Sequence, residues 1–205
     1  MSREPFWEAA YRDQEADTFG EPSAELVHVV ARLPRKAIAL DLGCGDGRNA
    51  LYLSNEGLTV DAFDHSIAGI QKLEYRAAKT GLSVRSWVQA IETYQFSGAY
   101  DLVLAHGVLH LLEPDVWRRV LEGMHRHTVR GGWNVVVVFT DRIPAPPDLA
   151  PHVRGAFREG DLLESYKGWI VEQWEACTLE DEHPGGIHHR HSVNRIVARK
   201  PDTDI

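Results

Sequence analysis

The residues with the most chemical content lie in one short run, Asp41-Leu42-Gly43-Cys44-Gly45-Asp46-Gly47-Arg48-Asn49. An apolar stretch precedes it and a helical pattern follows. That is the context of a ligand-binding loop at the carboxyl edge of a parallel sheet. Glycines let a ligand approach the backbone, and a helix start offers free N–H groups. A further acid, Asp64, closes the next strand candidate. In dinucleotide folds an acid at that place accepts the ribose hydroxyls.

A phosphate ligand suits this run poorly. A Walker loop is excluded, because no Gly-Lys-Ser/Thr follows. A dinucleotide fingerprint wants Gly or Ala where Arg48 stands, and Asp41 and Asp46 would repel a pyrophosphate. Beside a cationic amino-acid group Asp41 is attractive instead. S-adenosylmethionine, with one ammonium, one carboxylate, one sulfonium and no phosphate, fits better. Asp46 has a second reading as the N-cap of the following helix.

The elements that must position these residues alternate between strand and helix. Ala37–Leu42, Thr59–Phe63, Ser83–Val88 and Tyr100–Ala105 read as strands. Gly47–Asn55 reads as a helix, and Ser66 caps another that Gly81 ends. Pro114 opens a helix carrying Val116, Trp117, Val120 and Leu121. Gly131-Gly132 turns the chain into Trp133–Phe139, an apolar run suited to a strand buried on both faces. This alternation predicts an α/β fold with a parallel sheet and helices on both faces. Ile143–Pro151 contains four prolines and reads as a loop. Trp169–Leu179 and His188–Arg199 flank a His-Pro-Gly-Gly turn, a terminal antiparallel hairpin. Phe6–Tyr11 and Ser23–Leu33 read as helices covering the site, so residues 1–34 form an N-terminal cover on one domain spanning 1–205.

Composition narrows the partners. The chain has 205 residues, 22 basic and 30 acidic, for a formal charge of −8. An acidic chain without a basic stripe argues against nucleic acid. No apolar run approaches the ~20 residues of a membrane span, and the N-terminus lacks the apolar core of a signal peptide. The expected location is the cytosol. Two distant cysteines, Cys44 and Cys177, read as free thiols.

The tail carries His183, His188, His189, Arg190 and His191. On an extended strand His189 and His191 share one face. Three readings stand: a metal site with Glu180 or Glu182, a solvated tip, and a cationic patch facing a substrate. The third is preferred, because Arg and His donors can hold an oxyanion in an acidic protein. No metal is expected. Arg154 and Arg158 either add to that patch or sit solvated on the proline-rich loop.

The stretch LDLGCGDGRNALYLSNEGLTVDAFDHS resembles the first two motifs of class I S-adenosylmethionine-dependent methyltransferases. Its GRNALYL continuation is similar to the tellurite-resistance (TehB-type) subfamily. The similarity runs on through YDLVLAHGVLHLL, the Gly131-Gly132 strand, FREGDLLESYKGW and RIVARKP. It implies a Rossmann-like, doubly wound, seven-stranded sheet in the order 3-2-1-4-5-7-6, with strand 7 antiparallel. It implies that Asp41, Gly43 and Gly45 hold the methionine end, with Arg48 and Asn49 beside them. Asp64, with His65 next to it, would take the ribose, and Tyr11 would cover the cofactor. The acid that usually meets the adenine amine is replaced here by Ala90. Glu92, or the backbone at Ala90 and Ile91, is expected to stand in. His106 would lie near the transferred methyl and touch cofactor or substrate. His110, four residues on, reads as structural. A His–Arg patch from the tail would map onto His189 and Arg190, with His183 or His188 as alternative alignments.

The expected activity is methyl transfer to a small-molecule acceptor, with S-adenosylhomocysteine as product. A chalcogen oxyanion such as tellurite is the acceptor that the subfamily implies, and a thiol is its rival. A small oxygen or nitrogen acceptor would call for a general base, for which His106 and His189 are candidates. The competing classes are a non-catalytic S-adenosylmethionine-binding module, a nicotinamide-binding protein and a histidine-hairpin metal binder. Oligomeric state is not legible.

Overall fold

The computed structural model describes residues 4–183 and 187–203, and for 181–183 and 187–189 the backbone alone. In chain order the elements are α1 (Phe6–Arg12), α2 (Ala24–Val30), β1 (Ile38–Leu42), α3 (Arg48–Asn55), β2 (Thr59–Asp64), α4 (Ile67–Thr80) and β3 (Val84–Val88). They continue as β4 (Tyr100–His106), α5 (Pro114–His127), β5 (Thr128–Phe139), α6 (Asp161–Ser165), β6 (Ile170–His183) and β7 (Ile187–Arg199). The strands form one seven-stranded sheet in the order β3-β2-β1-β4-β5-β7-β6. The first five pair in parallel, and β7 runs antiparallel between β5 and β6.

Alternation along the central strands divides the core in two. Leu40, Leu42, Val103, Ala105, Val136 and Val138 face one way and pack against Trp117, Val120, Leu121 and Met124 of α5. Ala39, Leu102, Leu104, Val135 and Val197 face the other and meet Leu26, Val29, Ala50, Leu53, Ile70 and Leu73 of α2, α3 and α4. A strand covered on both faces has no polar side to offer, which is why β5 reads as an unbroken apolar run.

Local signals place the loops. Ser66 Oγ accepts the Gly69 N–H at 2.9 Å, and Gly81 closes α4 in the left-handed conformation. The Gly131-Gly132 pair is not a turn before β5, as the sequence suggested, but lies inside it. The register against β4 slips between Tyr100 and Leu102, and Gly131 takes a positive φ of 72°. A Cβ on Gly132 would come within 2.9 Å of Val129 O, so the glycines serve a bulge. The short α6 was not anticipated, and α2 is shorter than Ser23–Leu33. The turn residues 184–186 of the expected His-Pro-Gly-Gly hairpin lie outside the described residues.

Candidate functional site

β1 and β2 end side by side and deliver Asp41 and Asp64 to the carboxyl edge, with Leu42 opposite Phe63 in register. Asp64 Oδ2 accepts the Gly45 N–H at 2.9 Å, and its Oδ1 accepts the Ser66 N–H at 2.8 Å. The carboxylate thereby ties the glycine loop to the start of α4. Each oxygen keeps lone-pair capacity for a further donor, such as a ribose hydroxyl. The neighbouring His65 is exposed, with Nδ1 3.4 Å from Asp64 Oδ1.

Asp41 is 1% exposed, and its Oδ2 is buried without a hydrogen-bond partner. Burial pushes its carboxyl up to about 7, against the Arg48 guanidinium and the Ala50 N–H, which pull it down. A buried carboxylate oxygen without a donor is costly unless a ligand supplies one. An ammonium would do so, which is the test that the methionine end of S-adenosylmethionine passes here.

The other loop residues are committed to the fold. Asp46 is not the helix cap, since Gly47 holds that position. Asp46 Oδ2 instead lies 3.4 Å from Lys72 Nζ and 3.3 Å from Arg76 Nη1. Lys72 is fully buried and also donates to Ala10 O at 3.0 Å and Thr18 Oγ1 at 2.8 Å. Arg48 Nη1 donates to Phe19 O and Glu21 O, and Asn49 Oδ1 accepts from Ser23 N and Oγ. Lys72, Arg48 and Asn49 thus fasten the N-terminal segment to the glycine loop. That segment carries Tyr11, whose hydroxyl sits where a Cβ on Gly45 would be, 2.4 Å away. Burial, then the Asp64 and Asp46 carboxylates, push the Tyr11 phenol well above its ordinary value. Gly43 is likewise closed by Val108.

Lys72 gave a sequence signal that was missed. It lies three residues after Gly69 and one before Leu73, on the buried face of α4, and a lysine there requires partners.

After β3, Ala90 precedes a single 3-10 turn, Ile91–Thr93. Ile91 is buried and Glu92 exposed. Glu92 Oε1 lies 3.6 Å from Arg154 Nη1, and Arg154 also meets Glu113 at 3.0 Å. Arg154 is therefore balanced by two acids.

His106 ends β4, and burial, with Arg48 and Arg195 nearby, lowers it to about 3. Its ring is neutral at physiological pH. Val137 pairs with His106 on one side and with Arg195 on the other, so those two side chains share one face of the sheet. Arg195 Nη1 donates to Glu25 Oε1 of α2 at 3.0 Å. His110 sits in a 3-10 turn, not the next turn of an α-helix. Its Nδ1 accepts the Phe139 N–H at 3.2 Å, in keeping with a structural role. His110, Phe139 and His191 form a stack, with centroids 4.1 and 4.3 Å apart.

Of the tail residues, Arg190 is exposed and lies 3.6 Å from Glu180. The side chains of His183, His188 and His189 lie outside the described residues. Among the described residues no group of three His, Cys, Asp or Glu could hold a metal ion. No described helix is long and apolar enough to cross a membrane. Cys44 and Cys177 are free thiols.

The family model "Tellurite resistance protein TehB" matches residues 8–198. The chain belongs to the TehB family. A Haemophilus influenzae relative named "Probable S-adenosyl-L-methionine-dependent methyltransferase TehB" is 33% identical over 151 residues, covering 73% of this chain and 49% of its own length. The chain thus spans about half the length of that curated relative. The crystal structure of TehB from Haemophilus influenzae superposes with a TM-score of 0.80 at 26% identity, covering 94% of this chain and 67% of that one. A Mycobacteroides abscessus protein named 2-heptyl-1-hydroxyquinolin-4(1H)-one methyltransferase is 26% identical over 168 residues, covering 79% of this chain and 71% of its own. The TehB chain has the same Rossmann-like fold, as the sequence resemblance implied.

Proposed function

We propose that this chain transfers a methyl group to a small-molecule acceptor at the carboxyl edge of β1, β2 and β4. The chain is a TehB-type methyltransferase, and its cofactor is S-adenosylmethionine. When bound, that molecule supplies an electrophilic methyl on sulfonium, which leaves as the thioether of S-adenosylhomocysteine. The observation that carries this reading is the pairing of two acids at the ends of the neighbouring strands β1 and β2. Asp41 presents a buried, donorless oxygen, and Asp64 holds the loop backbone while keeping lone pairs outward.

Asp41 meets the ammonium and Asp64 the ribose. Tyr11 closes over Gly45 and excludes water. Ala90 and Ile91 offer backbone to the adenine, since Glu92 turns away toward Arg154. His65, on the rim beside Asp64, is a lesser contact.

His106 stands where the methyl is transferred. A ring lowered to about 3 is a weak base, so His106 orients the acceptor by hydrogen bonding. A soft anionic acceptor needs no base, only orientation and partial desolvation. That favours the acceptor class the family implies, a chalcogen oxyanion such as tellurite or a thiol. Arg190, 3.6 Å from Glu180 near the hairpin end, is the candidate source of positive charge for it. The test is methyl transfer from labelled S-adenosylmethionine to tellurite, selenite and a thiol series. Labelled product with any of them supports the reading. Tight S-adenosylhomocysteine binding without turnover on any acceptor would recast the chain as a binding module.

A further inference from the structure

A cavity of about 270 Å³ lies at the end of β5, walled by the proline-rich loop and the start of β7. Phe139, Ile143, Pro144, Ala145, Val153 and Ala156 are among its lining residues. Asp141, His191, Ser192 and Thr140 supply its polar groups, and no described lining residue is lysine or arginine. Phe139 stands two residues beyond Val137, the partner of His106. At roughly 3.3 Å per residue the cavity floor is about 7 Å past the row of His106.

We infer that this cavity holds the body of the acceptor, an uncharged ring system of about two fused rings that carries the nucleophilic atom as a thiol, which gives its proton to solvent before the sulfur takes the methyl. The inference rests on the methyltransferase reading above and chooses among its acceptors.

Three observations carry it. The first is size. An apolar cavity of about 150 Å³ accepts benzene, so 270 Å³ suits a bicyclic body. A free oxyanion would leave most of it empty. The second is charge. The Asp141 carboxylate repels an anion, and against it the described lining sets the His191 ring but no lysine or arginine. The third is the supply of donors. Thr140 and Ser192 hydroxyls bond each other at 2.5 Å, and Thr140 N–H donates to Ser192 O at 2.8 Å. That pair keeps one hydroxyl hydrogen, and with the neighbouring His191 ring it gives an otherwise apolar lining a single polar edge. Phe139 and His191, stacked face to face, add a flat aromatic wall.

The probe is 2-naphthol, titrated by fluorescence into the full chain with and without saturating S-adenosylhomocysteine. Ala145→Trp and Ala156→Leu fill the cavity from two sides and lie away from the glycine loop. The expected result is micromolar binding of 2-naphthol, weakened at least about ten-fold in each variant. Affinity for S-adenosylhomocysteine stays unchanged, and tellurite fails to displace the probe. No naphthol binding to protein that does bind S-adenosylhomocysteine overturns the inference. So does displacement by tellurite, or unaltered binding in both variants. Loss of S-adenosylhomocysteine binding alone would count against the cofactor reading and leave the cavity result to stand separately.

Discussion

Asp64 accepts the backbone N–H of Gly45 at 2.9 Å, so the acid that ends β2 holds the loop that follows β1. One side chain is thereby both scaffold and ligand contact. Asp64→Ala is expected to remove two backbone acceptors and the ribose contact together. A charge-assisted hydrogen bond contributes about 1.5–3 kcal/mol, so S-adenosylhomocysteine affinity should fall by roughly 10- to 150-fold. Asp64→Asn keeps one acceptor oxygen and should fall between. Thermal shift with and without S-adenosylhomocysteine separates the scaffold loss from the ligand loss.

Cofactor affinity should depend on pH through Asp41. Its carboxyl titrates near 7 in the unliganded protein, so below that it is neutral and attracts no ammonium. Binding therefore tightens as pH rises from 6 to 8 and releases a proton near neutrality. Calorimetry in two buffers of different ionisation enthalpy measures that proton. Asp41→Asn should abolish both the slope and the release.

The buried Lys72 should be costly to remove. Lys72→Met leaves Asp46 with Arg76 alone, and breaking a buried pair costs about 3–5 kcal/mol. The urea midpoint should drop accordingly, and the Ala10–Thr18 segment should become a site of early proteolysis. Adding Asp46→Asn to Lys72→Met should restore part of the loss.

Acid should destabilise the fold through its buried histidines. Burial lowers His106 and His110 to about 3 and His125 to about 4. Below about pH 6.5 the unfolded chain takes up these protons and the folded chain does not, so stability falls as pH drops from 6.5 toward 4. Asp41 works the other way. Raised to about 7, it is protonated in the fold and ionised when unfolded, which favours the fold on acidification. Three histidines outweigh one acid, and urea unfolding at pH 7.5, 6 and 5 should show a declining midpoint.

Much of this was legible from residue order because the signals are local. The β1 run before Asp41, the cap at Ser66 and the glycine at 81 each declare themselves within a few residues. The edge acids follow from the strand that each one ends. What was not legible is long-range pairing. Nothing near Asp46 reveals that Lys72 and Arg76 meet it, and nothing near Arg195 reveals Glu25, 170 residues away. The Gly131-Gly132 pair misled because a glycine pair marks a bulge as readily as a turn. The cavity at Phe139 was invisible because its walls come from three separated segments.

The cofactor reading requires that the Asp41–Asn49 loop and Asp64 hold S-adenosylmethionine. Calorimetric titration of the full chain with S-adenosylhomocysteine, with oxidised nicotinamide dinucleotide alongside, tests it most directly. The expected result is one-site micromolar binding of S-adenosylhomocysteine, weakened in Asp41→Asn and Asp64→Ala, and no binding of the dinucleotide. Absence of S-adenosylhomocysteine binding, or a preference for the dinucleotide, would contradict it.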